Sequence, residues 1–160
     1  MIEKGEKLQD FTLTDDRGQA VRWADLRGKP VVLFAYPRAD TPGCTKEACA
    51  FRDLQGDFAS KGVAVYGISA DKPAAQARFR DKYQLGIPLL SDPDRQILTI
   101  LGAYGKKMMY GKEVQGIIRS TWAFDRDGAV AQVWRNVKVD GHADKVLAEI
   151  ASLFPSQDPV

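Results

Sequence analysis

Residues 30–36 read PVVLFAY, an unbroken apolar run closed by Pro37. Its β-branched and aromatic side chains fall at both parities, which predicts a strand buried on both faces. VAVYGIS (63–69) repeats the pattern, and IPLLSD (87–92) repeats it in shorter form. Between the first two, the chain from Pro42 to Ser60 changes to a helical spacing. Cys44, Ala48, Phe51 and Phe58 fall near one face, and Gly62 ends the element. Helices are also predicted from Asp71 to about Leu85, with Asp71 as cap, over 93–102, and over 142–154. FTLTDDRGQAVRW (11–23) alternates around DDRG and reads as an N-terminal β-hairpin. Residues 117–135 read as a strand, a turn at DRDG and a second strand. Buried strands alternating with helices, followed by an antiparallel pair, predict an α/β layer fold with a mixed sheet. In such folds the chemistry lies at the carboxyl ends of the parallel strands, and residues 37–44 follow one of them.

The length of 160 residues suits one domain spanning 1–160, and no repeat, low-complexity tract or linker interrupts it. With 23 Lys and Arg against 21 Asp and Glu, the net charge is only +2. The basic residues are scattered, so no nucleic-acid partner is expected. The small cluster of GKK (105–107) and GK (111–112) reads as a solvated loop. No apolar run approaches the ~20 residues that span a bilayer, and the first residues lack the apolar core of a secretory signal. A cytoplasmic protein without a membrane partner is expected, and in that compartment a permanent structural disulfide is not.

The two cysteines, Cys44 and Cys49, are therefore the candidate chemistry. Pro42 suits the first position of a helix, and Gly43 lets another group approach the backbone. Cys44 then lies in the first turn, among N–H groups without intrahelical partners and at the positive end of the dipole. A thiol in that setting loses its proton more easily, and the thiolate is the nucleophile. Thr41 supplies a hydroxyl nearby. An equally simple reading makes Thr41 a cap and Cys44 a small apolar residue starting a core face. Five helical residues advance the chain ~7.5 Å and turn it to another face. A disulfide needs Cα atoms within about 7 Å and converging Cβ vectors. The two cysteines are thus either unrelated or joined only after the first turns unwind. One histidine, the distant His142, leaves no zinc ligand set, and it reads as a surface residue near a helix start.

Pro37-x-x-x-Thr41-x-x-Cys44, continued as TPGCTKEACAFRD, resembles the active-site signature of the peroxiredoxins, closest to the Q-type, bacterioferritin-comigratory-protein-like branch. The resemblance extends over the segment before the signature and over MYGKEVQGIIRSTWAFDRDG after it. It implies a thioredoxin-like fold and a thiol peroxidase acting on hydrogen peroxide and organic hydroperoxides, with no metal, haem or flavin cofactor. Carried over, Cys44 is the peroxidatic cysteine, Thr41 orients the peroxide, Pro37 shields the pocket, and Arg119 stabilises the thiolate and transition state. Cys49 matches the resolving cysteine, which would form an intramolecular disulfide re-reduced by thioredoxin or a similar dithiol. A monomer is implied as well. Gln9 stands where the family often has proline, and TWAFD replaces a more usual Phe-Leu-Ile run. Glu47, one turn after Cys44, reads first as an ordinary helix surface charge and second as a brace for Arg119. A general protein oxidoreductase would favour Cys-x-x-Cys. A redox sensor would oxidise once without turnover. GKKMMYGKE misses the spacing of a nucleotide-binding loop.

Overall fold

The computed structural model describes residues 1–155. A central sheet runs in the order β2-β1-β5-β4-β3-β8-β9, from β1 (Thr12–Asp15), β2 (Ala20–Arg22), β3 (Val31–Ala35), β4 (Ala64–Ser69), β5 (Leu89–Ser91), β8 (Ser120–Phe124) and β9 (Val130–Trp134). β3, β4 and β5 are parallel, whereas β1 with β5, β3 with β8, and β8 with β9 are antiparallel. Helices α1 (Pro42–Ser60), α2 (Pro73–Tyr83), α3 (Gln96–Leu101) and α4 (His142–Leu153) flank it. This is the mixed α/β, thioredoxin-like architecture with an N-terminal hairpin that the residue pattern and the resemblance predict.

The period of two along β3 divides the core. Val32, Phe34 and Tyr36 face one side, packing with Ala48, Phe51 and Phe58 of α1, Phe79 of α2, and Val146 and Ile150 of α4. Val31, Leu33 and Ala35 face the other side with Trp122, Phe124 and α3. Both faces are dry, so the strand has no polar alternation to show. Phe34 stacks on Phe51 with centroids 4.6 Å apart, which fixes α1 against the strand that feeds it.

Two expectations are corrected. The basic stretch after Ala103 is not a loop: β6 (Tyr104–Met109) and β7 (Lys112–Ile117) form a separate antiparallel hairpin. Its turn places Tyr110 and Gly111 at φ 52° and 77°, the left-handed pair that matches strand twist in a two-residue hairpin. Three lysines and scattered apolar residues hid the alternation. Nor does Asp71 cap α2, since Lys72 holds that position without a side-chain cap. The Asp71 carboxylate instead accepts from the Ser69 hydroxyl at 2.7 Å and the Ala39 N–H at 2.8 Å, reaching back toward the loop before α1.

Candidate active site

The site grows from the junction of β3 and α1. Ala35 pairs with Ser120 across antiparallel strands, so the end of β3 lies beside the beginning of β8. Pro37, half-buried, turns the chain out of the sheet, and Thr41 precedes Pro42, the first residue of α1. That arrangement brings Arg119, one residue before β8, over the start of α1. Its Nη2 donates to Cys44 Sγ at 3.4 Å, and its Nη1 donates to Glu47 Oε1 at 2.7 Å. Gly43 makes the approach possible, because a Cβ there would stand 3.2 Å from Arg119 Nη2.

Glu47 is not a surface charge. It is 1% exposed, and its Oε2 has no partner among the described residues. The stripe Cys44, Glu47, Ala48, Phe51 is the buried face of α1, so Glu47 could have been found as the polar member of an apolar spacing. Burial pushes its carboxyl up to about 7, against the pull of Arg119. For Arg119, burial works against the charge, but attraction to Glu47 and Cys44 outweighs it and raises the pKa. The cation is therefore secure at any ordinary pH and is shared between sulfur and carboxyl.

Thr41 does not cap α1 through its side chain. Its hydroxyl donates to the Arg38 carbonyl at 2.8 Å, which leaves the oxygen lone pairs free to accept. The loop it belongs to is tied down on both sides. Tyr83 Oη donates to Asp40 Oδ1 at 2.7 Å, and Lys82 Nζ donates to Asp40 Oδ2 at 3.0 Å. Asp40 sits at φ 60°, a conformation that these contacts hold in place. Behind the loop, Tyr36 donates to Gln76, Gln76 to Ser69 at 2.9 Å, and Ser69 to Asp71. Neither Asp71 nor Gln76 carries a motif that a single sequence would betray.

Cys44 is buried, Cys49 is partly exposed, and both are free thiols. Cys49 packs beside the α1 core face and is not within the Arg119 cluster. His142 is buried rather than superficial: its Nε2 shares a hydrogen bond with Thr121 Oγ1 at 2.8 Å, between the rings of Phe51 and Trp134. Burial first, then repulsion from Lys145 and Arg119, lowers its pKa to about 4, so it stays neutral. Among the described residues no group of His, Cys, Asp and Glu could hold a metal ion, and no helix is long and apolar enough to cross a membrane.

A cysteine at a helix start, a threonine in the preceding turn and an arginine from the neighbouring strand together equip the site for attack by a thiolate on an electrophilic oxygen. The comparisons agree. A sequence model of the AhpC/TSA family matches residues 4–133. A Mycobacterium tuberculosis protein, named as a peroxiredoxin, is 53% identical over 150 residues, covering 94% of this chain and 96% of its own. Peroxiredoxin Bcp of Bacillus subtilis is 37% identical over 152 residues, covering 95% and 97%. The crystal structure of a Xylella fastidiosa PrxQ mutant superposes with a TM-score of 0.90 at 29% identity, covering 95% and 97%. The chain thus belongs to the AhpC/TSA family and, within it, to the peroxiredoxins of the Bcp/PrxQ branch.

Proposed function

We propose that the protein reduces hydrogen peroxide and organic hydroperoxides through the Cys44 thiolate, with Cys49 as resolving thiol and thioredoxin or a similar dithiol as reductant. The observation that carries this reading is Arg119 donating at once to Cys44 Sγ and to buried Glu47 at the start of α1. In the first step a sulfur lone pair forms an S–O bond to one peroxide oxygen while the O–O bond breaks. The hydroxide or alkoxide leaves and takes a proton to become water or alcohol. Cys44 is left as sulfenic acid. Negative charge develops on the leaving oxygen, and Arg119 with the amides of the first α1 turn is the fixed donor set that lowers this barrier. Thr41, its own proton given to Arg38, accepts the peroxide O–H and so orients the bond. Pro37 covers the approach to Cys44.

In the second step the Cys49 thiol displaces water from the sulfenic acid, forming the Cys44–Cys49 disulfide once the first turns of α1 unwind. An external dithiol then exchanges twice and restores both thiols. In this reading the chain works as a single domain and a cytoplasmic monomer, without metal or organic cofactor.

Peroxide consumption by wild type, Cys44→Ser and Cys49→Ser, with and without a thioredoxin system, tests the scheme. Cys44→Ser should lose all turnover. Cys49→Ser should still reduce one equivalent at nearly the wild-type rate, lose thioredoxin-driven turnover, and gain two oxygens on Cys44 under excess peroxide. Near-normal turnover by Cys44→Ser would end the peroxidase reading, and normal thioredoxin-driven turnover by Cys49→Ser would make that residue a bystander.

A further inference from the structure

The β6–β7 hairpin ends two residues before Arg119, and one of its lysines points back along it. Lys107 Nζ donates to the Ile117 carbonyl at 2.7 Å. Its stem lies across Gly116, where a Cβ would stand 2.9 Å from Lys107 Cε. Glycine at 116 is what lets the lysine fold flat over the partner strand instead of extending into water. The next carbonyls are tied as well: Ile118 O accepts from Ser120 Oγ at 3.0 Å, and Arg119 O from Val137 N at 3.0 Å. Three consecutive carbonyls leading into Arg119 therefore each have a donor, and the first donor is a cation.

We propose that Lys107 is a positioning residue for the thiol chemistry: its ammonium fixes the Ile117–Arg119 segment and adds a second positive charge to the surroundings of Cys44. Its own titration agrees with that placement, being lowered by burial first and by repulsion from Arg119, with Cys44 opposing. The other groups facing Cys44 are Arg119 from the start of β8, Glu47 from α1 and Tyr36 from the end of β3. From α4, His142 feels repulsion from both Lys145 and Arg119. Tyr36 is held neutral by burial, and Glu47 is compensated by Arg119, so Lys107 is the charge whose removal changes the balance. Neighbouring Lys106 points outward and pairs at 3.5 Å with Glu113.

The inference rests on the peroxidase reading only for what the thiolate is used for, so its test does not need peroxide. The rate of Cys44 alkylation by iodoacetamide, resolved by peptide mass spectrometry, is measured against pH for wild type, Lys107→Met, Lys107→Arg and Lys106→Met. Loss of one partly exposed charge should slow Lys107→Met about two- to fivefold below the midpoint of the profile, the range for such pairs. The curves should converge at high pH, and the gap should shrink in high salt. Lys107→Arg should follow wild type, and Lys106→Met should not move. A Lys107→Met profile that superimposes on wild type, one lowered equally at every pH, or one matched by Lys106→Met overturns the proposal. Wild-type peroxide consumption is recorded alongside: its absence with a shifted Lys107→Met profile would sink the peroxidase reading and leave the charge effect standing.

Discussion

Arg119 is the residue on which most of the site's geometry converges, since it touches Cys44, borders Gly43 and is braced by Glu47. Arg119→Met removes the charge but little bulk. Stopped-flow reaction with peroxide should slow by about two to three orders of magnitude, the cost of losing one preorganised donor. An unchanged rate would reduce Arg119 to a structural contact. Gly43→Ala should give a milder form of the same defect, because the new methyl must displace the guanidinium from 3.2 Å. If its rate matches wild type with Arg119 unmoved in a crystal structure, the close approach has no catalytic weight. The sequence makes Cys44, Thr41 and Arg119 legible through a motif and a resemblance. Glu47 is legible only as the second reading, a brace for Arg119, because its charge argues for the surface while only the α1 spacing argues for the interior. His142 was hidden for the same reason, its partner Thr121 being a sheet residue whose inward direction depends on register with β3.

At the scale of elements, α1 carries both cysteines on different faces of one helix, with Cys44 buried against the sheet and Cys49 partly exposed. Forming a disulfide between them must break the hydrogen bonds of the first turns, including Thr45 N–H to Thr41 O at 2.8 Å. One equivalent of peroxide should therefore lower the far-UV helical signal and the amide-exchange protection of residues 42–52. Retained protection in protein shown by mass spectrometry to carry the 44–49 disulfide would contradict this geometry. The long elements were legible because each shows its period over several residues: β3 and β4 as continuous apolar runs, α1 as a buried stripe. The β6–β7 hairpin was not, because only its base at Tyr104 and Ile117 joins the core, and the half-buried positions further out include Lys107 and Gly116, so hydropathy shows no clear alternation. The predicted helix over 93–102 shortened to Gln96–Leu101, since Asp92 accepts the Leu98 N–H at 2.8 Å and turns the chain before it.

For the molecule as a whole, two buried groups set opposing pH dependences. His142 falls from 6.5 to about 4 on folding, so between those values the unfolded chain binds the extra proton and stability rises with pH. Glu47 rises from 4.5 to about 7, so across that range the folded chain binds the extra proton and stability falls with pH. The two nearly cancel from about pH 4.5 to 6.5. Urea denaturation at pH 5 and pH 6.5 should show little difference for wild type, a gain with pH for Glu47→Gln, and a loss with pH for His142→Asn. Equal slopes in all three proteins would mean that neither group is shifted. The contact between Arg119 and Cys44 spans 75 residues of chain. It exists only once β8 has docked beside β3, a pairing whose second half is made long after the cysteine leaves the ribosome. On the proposed mechanism, a nascent or partly folded chain would carry an unbraced, sluggish thiol, and the completed sheet would arm it. Reactivity toward peroxide would then report that folding has finished, and a chain still awaiting its last strands would be spared oxidation at the residue it most needs.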